Sequence, residues 1–234
     1  MPDLENQKID ISNMNRLSLL ACVTTELCLL HSLYRYRDHA IFAKKSLPTN
    51  VVVVVIASNG SLTDDVIYSI EEKRRYAHKH GYQFEHSPQL DYSRKPGWSK
   101  MIKVKELIPY HSNTWFWVVD TDTVITNDNV KVLDFVPDGD VSQVIIGKDC
   151  NALNSGYILM KSGRWNAWFI DRIFSVSNEA LTAEVSWAEN SAVIHLYKTD
   201  SRVRRRIWID PAYWFNAYTH NDNCKGGSGY PWRP

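Results

Sequence analysis

Two carboxylates one residue apart, Asp120 and Asp122, directly follow an apolar run from Trp115 to Val119. Such a run predicts a strand buried on both faces, so the two aspartates are expected where that strand leaves the sheet. Paired oxygen ligands suit Mg²⁺ or Mn²⁺, which bind few protein carboxylates and leave positions open for phosphate oxygens. Aspartates in such strings also cap turns. The pattern therefore predicts a metal and phosphate site, with a turn cap as the structural alternative.

The segment Asp120 to Val124 also fits the haloacid-dehalogenase pattern, in which the first aspartate is phosphorylated and the second acts as acid and base. That pattern normally opens its domain on the first strand. Here a complete β-α-β unit precedes it, so a phosphatase is kept as the alternative chemistry.

The elements that must position these aspartates begin with the β-branched run Val51 to Ile56, which predicts a buried strand. Ser61 and Asp64 have the spacing of a capping box and predict a helix that stops at Gly81. The segment Tyr82 to Phe84 predicts the next strand. A β-α-β unit of this kind predicts a parallel sheet with a ligand crevice at the carboxyl ends of its strands.

The rest of the chain continues the alternation of strands and helices. Further helices are predicted at 98–108, 165–173 and 186–197, and further strands at 144–146 and 157–160. Because no repeat or low-complexity linker interrupts this pattern, residues 50–234 are predicted to form one α/β domain.

Five elements, in this order along the chain, carry a resemblance to a known family. They are Arg75–Tyr82, Trp98–Lys100, Trp115–Asp122, Leu153–Leu159 followed by Trp165, and Phe215–Tyr218. In order and spacing they resemble glycosyltransferase family 34, which includes fungal α-galactosyl and α-1,6-mannosyltransferases and plant xyloglucan xylosyltransferases. The resemblance implies a GT-A-type nucleotide-sugar-binding fold with a mostly parallel central sheet flanked by helices. It also implies Mn²⁺ or Mg²⁺, a UDP-galactose, UDP-xylose or GDP-mannose donor, a glycan acceptor and retention at the anomeric carbon.

The resemblance also assigns roles by position. Asp120 and Asp122 match the acidic pair that holds the metal and diphosphate, and Lys100 would lie beside the donor, unless it is a solvated helix charge. The segment Asn154-Ser155-Gly156 matches the one that lines the sugar pocket, where glycine permits close backbone approach. A plain turn at the strand entry is the alternative for that segment. The other donor contacts that we expect are Ala57, Ser58, Tyr82, Trp98 and Thr121.

Glu189 and Asn190 match an acid-glutamine pair that faces the transferred sugar in the family, with asparagine in place of glutamine. We expect a catalytic role for both, and Asp149 is a further polar candidate. The alternative for Glu189 is structural, because Ser186 and Glu189 have the spacing of a capping box that would close a helix terminus.

The family continues past its counterpart of Asn216–Tyr218 into a segment whose histidine is the third metal ligand. This sequence reaches Pro234 without that segment, and His220 does not match it. The resemblance therefore implies a domain that lacks the usual C-terminal segment. A catalytically impaired relative, which binds a sugar nucleotide or a partner in a complex of related glycosyltransferases, is the alternative to an active enzyme.

The first 49 residues are predicted to be a separate N-terminal segment with an apolar helix at 17–34. Either a membrane anchor or a helix packed on the protein explains it. Glu26 lies at its centre, where an acidic residue costs roughly 2.5–3.5 kcal/mol on insertion scales. The family resemblance implies a Golgi membrane location; without an anchor the protein is expected to be soluble.

The composition and net charge indicate which classes of ligand the protein can bind. With 27 Lys and Arg against 26 Asp and Glu, the net charge is +1, which gives no electrostatic footprint for nucleic acid. The four cysteines have no zinc-site spacing. Nine Trp and twelve Tyr are typical either of a ligand with flat, stackable rings, such as a sugar, or of an aromatic core.

Overall fold

The computed structural model describes residues 50–57, 62–137, 142–149, 152–176 and 187–210. The strands are β1 (Asn50–Ile56), β2 (Gln83–Ser87), β3 (Thr114–Val119), β4 (Val144–Lys148), β5 (Leu153–Lys161) and β6 (Ile207–Asp210). The α-helices are α1 (Asp64–His80), α2 (Gly97–Leu107), α3 (Arg164–Ser175), α4 (Glu189–Thr199) and α5 (Ser201–Arg204), and 3-10 turns lie at Ile108–Tyr110 and Val132–Phe135. The predicted segment 1–49, Ser58 and the residues after Asp210 lie outside these ranges.

The strands form one sheet in the order β2-β1-β3-β5-β4-β6. Neighbouring strands are parallel in the pairs β1 with β2, β1 with β3 and β4 with β6, whereas β5 runs antiparallel to both of its neighbours. The predicted α/β fold with a mostly parallel central sheet flanked by helices is therefore confirmed.

The direction of β5 decides which residues share one edge of the sheet. The strands β1, β3, β4 and β6 all end there, and we call it the carboxyl edge. Because β5 runs the other way, its first residues lie at this edge instead of its last ones. Asp120 donates its backbone N–H to the Gly156 carbonyl at 3.0 Å, which joins the end of β3 to the start of β5. The strand-entry turn, which was the alternative for Asn154–Gly156, does not form there, because β5 already begins at Leu153.

The core lies on both faces of the sheet, because side chains alternate along each buried strand. Val52 and Phe116 face α2, α3 and α4, whereas Val51 and Trp115 face α1. Part of the aromatic surplus within the described ranges is core: Trp98, Trp115 and Trp117 are buried, and Trp165 and Trp168 pack against the core.

Helix α1 begins two residues later than the capping-box spacing predicted. Its N-cap is Thr63, whose side chain makes no capping hydrogen bond, and not Ser61. The predicted stop is confirmed: Gly81 has a φ of 69°, a left-handed conformation that glycine adopts without strain. The Tyr82 N–H then bonds the Ala77 carbonyl at 2.8 Å and closes the helix end.

Membrane association was predicted through residues 17–34, which lie outside the described ranges. Within those ranges, no helix is both long and apolar enough to cross a bilayer.

Candidate active site

The two aspartates of the acidic pair have different surroundings. The Lys100 ammonium donates to Asp120 Oδ1, with Nζ and Oδ1 2.8 Å apart, whereas no described residue forms a hydrogen bond or ion pair with the exposed Asp122 carboxylate. The turn itself is closed by Thr123, whose hydroxyl donates to the Asp120 backbone carbonyl at 2.7 Å. The turn-cap alternative is therefore not what the described contacts support, and the Asp122 carboxylate is available to an external ligand.

Lys100 lies between two carboxylates from different elements. Its Nζ is 2.8 Å from Asp120 Oδ1, 2.9 Å from Glu189 Oε1 and 3.2 Å from the Ser155 carbonyl oxygen. An ammonium group has three hydrogens, so these acceptors use all of them. Burial alone would lower the pKa of Lys100, but the Asp120 and Glu189 carboxylates outweigh it and raise this pKa above its ordinary value. Lys100 is thus a buried bridge that is charged at neutral pH, and not a solvated helix charge.

Glu189 is the first residue of α4, and its side chain is 4% exposed. Its Oε1 accepts from the Ser155 hydroxyl at 3.0 Å as well as from Lys100. The N-cap of α4 is Ala188, which makes no side-chain capping bond, so the capping-box alternative for Glu189 is wrong. The Glu189 carboxylate points into the site because it pairs there with the Lys100 ammonium.

Gly97, at the start of α2, leaves the space that the Glu189 carboxylate occupies. A Cβ added at Gly97 would lie 2.1 Å from Glu189 Oε2, which is far inside contact distance. No side chain fits at this position while Glu189 keeps its place. The sequence signal for this role was only the position of Gly97, next to the Trp98–Lys100 element.

Asn190 joins α4 to β5 through its side-chain amide. Its Oδ1 accepts from the Ser155 backbone N–H at 3.1 Å, and its Nδ2 donates to the Leu153 carbonyl at 3.0 Å. Both ends of the amide are therefore used by strand backbone. Together with Glu189, this residue fixes the start of α4 against the start of β5.

Asp149 organises the loop that enters β5. Its Oδ1 accepts from the Ala152 N–H and its Oδ2 from the Asn154 amide, both at 2.9 Å. Asn154 Oδ1 in turn accepts from the Gly156 N–H at 2.8 Å. A Cβ at Gly156 would lie 3.1 Å from Asp120 Oδ2, so glycine here permits the close approach of the acidic turn.

These side chains surround an open cleft at the carboxyl edge, with a volume of about 380 Å³. We call it the acidic cleft, because the carboxylates of Asp120, Asp122, Asp149 and Glu189 line it. Sequence reasoning missed three further lining residues, Thr123, Leu153 and Trp187. Trp187 could have been suspected from its place two residues before Glu189.

Several expected donor contacts lie elsewhere among the described residues. Trp98 is buried in the core against Phe174, with ring centroids 5.2 Å apart, and Tyr82 packs on the other face of the sheet beside Tyr76 and His80. Neither lines the acidic cleft. Ala57 is buried at the end of β1. Ser58 lies outside the described residues, so its contact with the donor stays a prediction.

The acidic turn is held from beneath by α1. Lys73, which is fully buried, donates to the Thr123 carbonyl and to Ser69 Oγ, the latter at 2.8 Å. Its ion-pair partner Glu72 lies 3.0 Å away and accepts from the Ile125 N–H through its other oxygen at 3.1 Å. Burial lowers the pKa of Lys73 below its ordinary value, and Glu72 opposes that shift.

The acidic cleft meets the chemical requirements of a divalent cation only in part. Asp120 and Asp122 supply hard oxygen ligands beside an open cleft, which suits Mg²⁺ or Mn²⁺ that also binds phosphate oxygens and water. Within the described ranges, no group of three or more His, Cys, Asp and Glu side chains could hold a metal ion. The two aspartates therefore fit an ion shared with a ligand and not a closed structural site.

Fungal enzymes that are longer than this chain are similar to it in sequence. An α-1,2-galactosyltransferase of Schizosaccharomyces pombe is 24% identical in an alignment 235 positions long, which covers 80% of this chain and 62% of that protein. A probable α-1,6-mannosyltransferase, MNN10 of Saccharomyces cerevisiae, is 26% identical in an alignment 184 positions long, which covers 64% of this chain and 47% of that protein. The chain thus spans between about half and two thirds of the length of these relatives.

A solved structure shows the same fold. It is a glycosyltransferase involved in the glycosylation of the major capsid of PBCV-1, with a TM-score of 0.56 and 16% sequence identity over 70% of this chain and 82% of that one. The sequence profile of the galactosyl transferase GMA12/MNN10 family matches residues 48–141 and 133–230. Because these overlapping matches cover far more than half of its 234 residues, the chain belongs to this family, glycosyltransferase family 34.

Proposed function

We propose that this chain is a metal-dependent retaining glycosyltransferase that moves a hexosyl group from a nucleotide sugar to a glycan acceptor. Its family is one of glycosyltransferases, and the relatives named above are a galactosyltransferase and a probable mannosyltransferase. Membership in this family gives no support to the phosphatase alternative. The single observation that carries the proposal is the buried Lys100 bridge between Asp120 and Glu189, two carboxylates that line the acidic cleft.

This bridge supports the proposal because it joins the two halves that a transfer site needs. Asp120 belongs to the turn that would meet the diphosphate, and Glu189 to the helix that would meet the sugar. A buried cation between them fixes their separation and compensates both charges, so neither carboxylate has to move or take up a proton when a ligand binds.

Asp120 and Asp122 are the residues that would hold Mn²⁺ or Mg²⁺. The ion, when bound, would supply positive charge to the diphosphate as it leaves. The free Asp122 carboxylate and the open side of the acidic cleft support this assignment, since such an ion needs room for phosphate oxygens.

The surroundings of Glu189 favour a front-face path over a covalent glycosyl-enzyme. Its Oε1 already accepts from Lys100 and Ser155, so the carboxylate is held in a fixed ion pair. Hydrogen bonds to an ionised carboxylate stabilise that form and make it a weaker nucleophile. We therefore assign Glu189 and Asn190 to the orientation and electrostatic stabilisation of the sugar. The role that we assign to Asp149 is to hold the Asn154 side chain in place. A glycosyl adduct on Glu189, detected by mass spectrometry of a trapped reaction, would contradict this assignment.

The names of the relatives support retention and a hexose. Both relatives are named for α-linked products, and UDP-galactose and GDP-mannose carry α-linked sugars, so transfer that yields an α-linkage keeps the anomeric configuration. UDP-xylose, which the resemblance also allowed, has less support because neither of these relatives is named for it.

The test is a donor panel with Mn²⁺ and an α-mannoside acceptor. UDP-galactose, GDP-mannose and UDP-xylose are each assayed for nucleotide release and for sugar transfer. Asp122→Ala should reduce turnover by at least about a hundredfold, because the leaving diphosphate loses its charge compensation. The matched control is Asp128→Ala in the same loop, whose carboxylate pairs with Lys79 at 3.0 Å and is 60% exposed.

Each other outcome favours a different function. If no donor is turned over but one raises the melting temperature in an Asp122-dependent way, the chain is a sugar-nucleotide-binding relative. If phosphate is released from small phosphoesters without sugar transfer, the phosphatase alternative returns. A Golgi membrane location and a complex with related glycosyltransferases stay predictions, because they depend on residues 1–49 and on partners.

A further inference from the structure

Trp187 is the aromatic residue among those that line the acidic cleft. It is 40% exposed, whereas the other lining residues mostly carry carboxylate, amide or hydroxyl groups. No described residue accepts a hydrogen bond from the indole N–H. An exposed indole with an unpaired N–H suits a ligand that has both an apolar face and hydroxyl groups.

The backbone holds Trp187 in this position. Its N–H donates to the Ser191 hydroxyl at 2.8 Å, and its carbonyl accepts from the Asn190 N–H at 3.1 Å. The next residue, Ala188, has a φ of 55° and a ψ of −131°, which a residue with a Cβ rarely adopts. Backbone strain of this kind persists where the surrounding contacts impose it. The strained residue joins Trp187 to Glu189, and both of these residues line the acidic cleft.

Trp208 provides a comparison within the same molecule. It is also 40% exposed, but its indole N–H is used by Asp210 Oδ1 at 2.9 Å, and it does not line the acidic cleft. Exposure alone therefore does not distinguish Trp187. The combination of a cleft position, a free N–H and a fixed, strained turn does.

We propose that the Trp187 indole is a stacking platform for a pyranose ring bound in the acidic cleft. A pyranose has an apolar face of C–H groups that packs on an aromatic ring, and its hydroxyl groups accept from the indole N–H and donate to the carboxylates around it. A nucleobase would also stack, but it would not use the surrounding carboxylates as acceptors for several hydroxyl groups. This inference rests on the proposed function, because the pyranose is either the donor sugar or the acceptor sugar of that reaction.

The experiment measures binding by titration calorimetry to Trp187→Leu, Trp187→Tyr and the control Trp208→Leu. The donor arm compares UDP-galactose with UDP and GDP-mannose with GDP, in the presence of Mn²⁺. The acceptor arm uses α-1,2-mannobiose in the presence of the nucleotide alone. Leucine keeps an apolar side chain without a ring face, whereas tyrosine keeps the ring face, so the two variants separate stacking from general packing.

We expect Trp187→Leu to weaken pyranose binding by about five- to tenfold in one arm, with Trp187→Tyr near wild type and Trp208→Leu unchanged. A loss of the affinity difference between UDP-galactose and UDP, or between GDP-mannose and GDP, assigns the platform to the donor sugar. A weaker affinity for mannobiose alone assigns it to the acceptor.

The inference is overturned if Trp187→Leu binds every probe as the wild type does, if Trp208→Leu shows the same loss, or if the wild type binds no pyranose. These outcomes are separable from a failure of the proposed function. That failure is a wild-type chain that transfers no sugar, whether or not it binds one through Trp187.

Discussion

The buried ammonium of Lys73 in α1 donates to the backbone carbonyl of Thr123, in the turn that carries Asp120 and Asp122. The same ammonium pairs with Glu72, which receives the Ile125 N–H from the far end of that turn. One ion pair of α1 therefore holds the acidic turn at two points. The orientation of the predicted metal ligands depends on this contact from the opposite face of the sheet.

Lys73→Met should lower the free energy of unfolding by about 3 kcal/mol, because it leaves Glu72 largely buried without its cation. It should also lower donor turnover, since the acidic turn loses its support. Urea unfolding and the donor assay measure the two effects. The matched control is Lys79→Met on the same helix, whose exposed pair with Asp128 should contribute less than about 1 kcal/mol. Equal unfolding midpoints for Lys73→Met and the wild type would remove this role for Lys73.

Lys100→Met should be among the most destabilising single changes, by about 3–5 kcal/mol at neutral pH, because Asp120 and Glu189 would then face each other without a cation. In the wild type the raised pKa of Lys100 keeps the bridge charged, so its contribution is complete below the ordinary lysine pKa of 10.5 and is lost only as the pH rises beyond it.

The control for Lys100 is Lys105→Met, from the same helix, where the partner Asp171 is exposed. Its effect on the free energy of unfolding should stay below about 1 kcal/mol. Chemical denaturation at pH 7 measures both variants. A loss for Lys100→Met no larger than the loss for Lys105→Met would contradict the bridge as the cause.

Gly97→Ala should displace the Glu189 carboxylate, because the added Cβ would lie 2.1 Å from Oε2. We expect turnover to fall by more than about tenfold, together with a measurable loss of stability. The test is a double-mutant cycle with Glu189→Ala, measured by unfolding free energies. If the clash is the cause, Gly97→Ala should cost much less in the Glu189→Ala background. Additive effects of the two changes would show that Gly97 acts in another way.

Asp210→Asn should stabilise the protein at pH 7. Burial raises the pKa of Asp210 from 3.8 to about 6, against the opposing hydrogen bond from Trp208. Because the pKa of Asp210 is higher in the folded state than in the unfolded state, its ionisation destabilises the fold. The protein therefore has its full stability with respect to this group below pH 3.8 and loses it as the pH rises through about 6. Asparagine keeps an acceptor for the Trp208 indole but carries no charge.

The gain from Asp210→Asn should be of the order of 2–3 kcal/mol at pH 7 and should vanish below about pH 4. Thermal unfolding of both proteins between pH 4 and pH 8 measures it, and Trp208→Phe reports on the hydrogen bond alone. A constant difference between the two proteins across this range would rule out the titration of Asp210 as its source.

Patterns along the chain predicted the elements of the sheet well. The apolar runs at Val51–Ile56 and Trp115–Val119 became β1 and β3 with shifts of one residue at most, because a strand buried on both faces admits few polar side chains. The stop at Gly81 followed from glycine's access to the left-handed region. Capping patterns were less reliable: neither Ser61 nor Ser186 is the N-cap of its helix.

The capping patterns failed for a physical reason that applies most strongly to Glu189. A capping box is a local interaction of an exposed helix end, worth about 1 kcal/mol. The buried ion pair with Lys100 and the hydroxyl of Ser155 come from α2 and β5, and they outweigh that local preference. Spacing within one segment carries no information about such partners.

The order of residue types along the chain was thus sufficient for the fold class, the family and the place of Asp120 and Asp122 after a buried strand, because burial and backbone preference act over a few neighbouring residues. The reversed direction of β5, the Lys100 bridge and the presence of Trp187 in the acidic cleft were decided by the tertiary structure alone. They depend on contacts between segments far apart in the chain, and such contacts form only when the sheet brings β3, β5 and α4 to one edge.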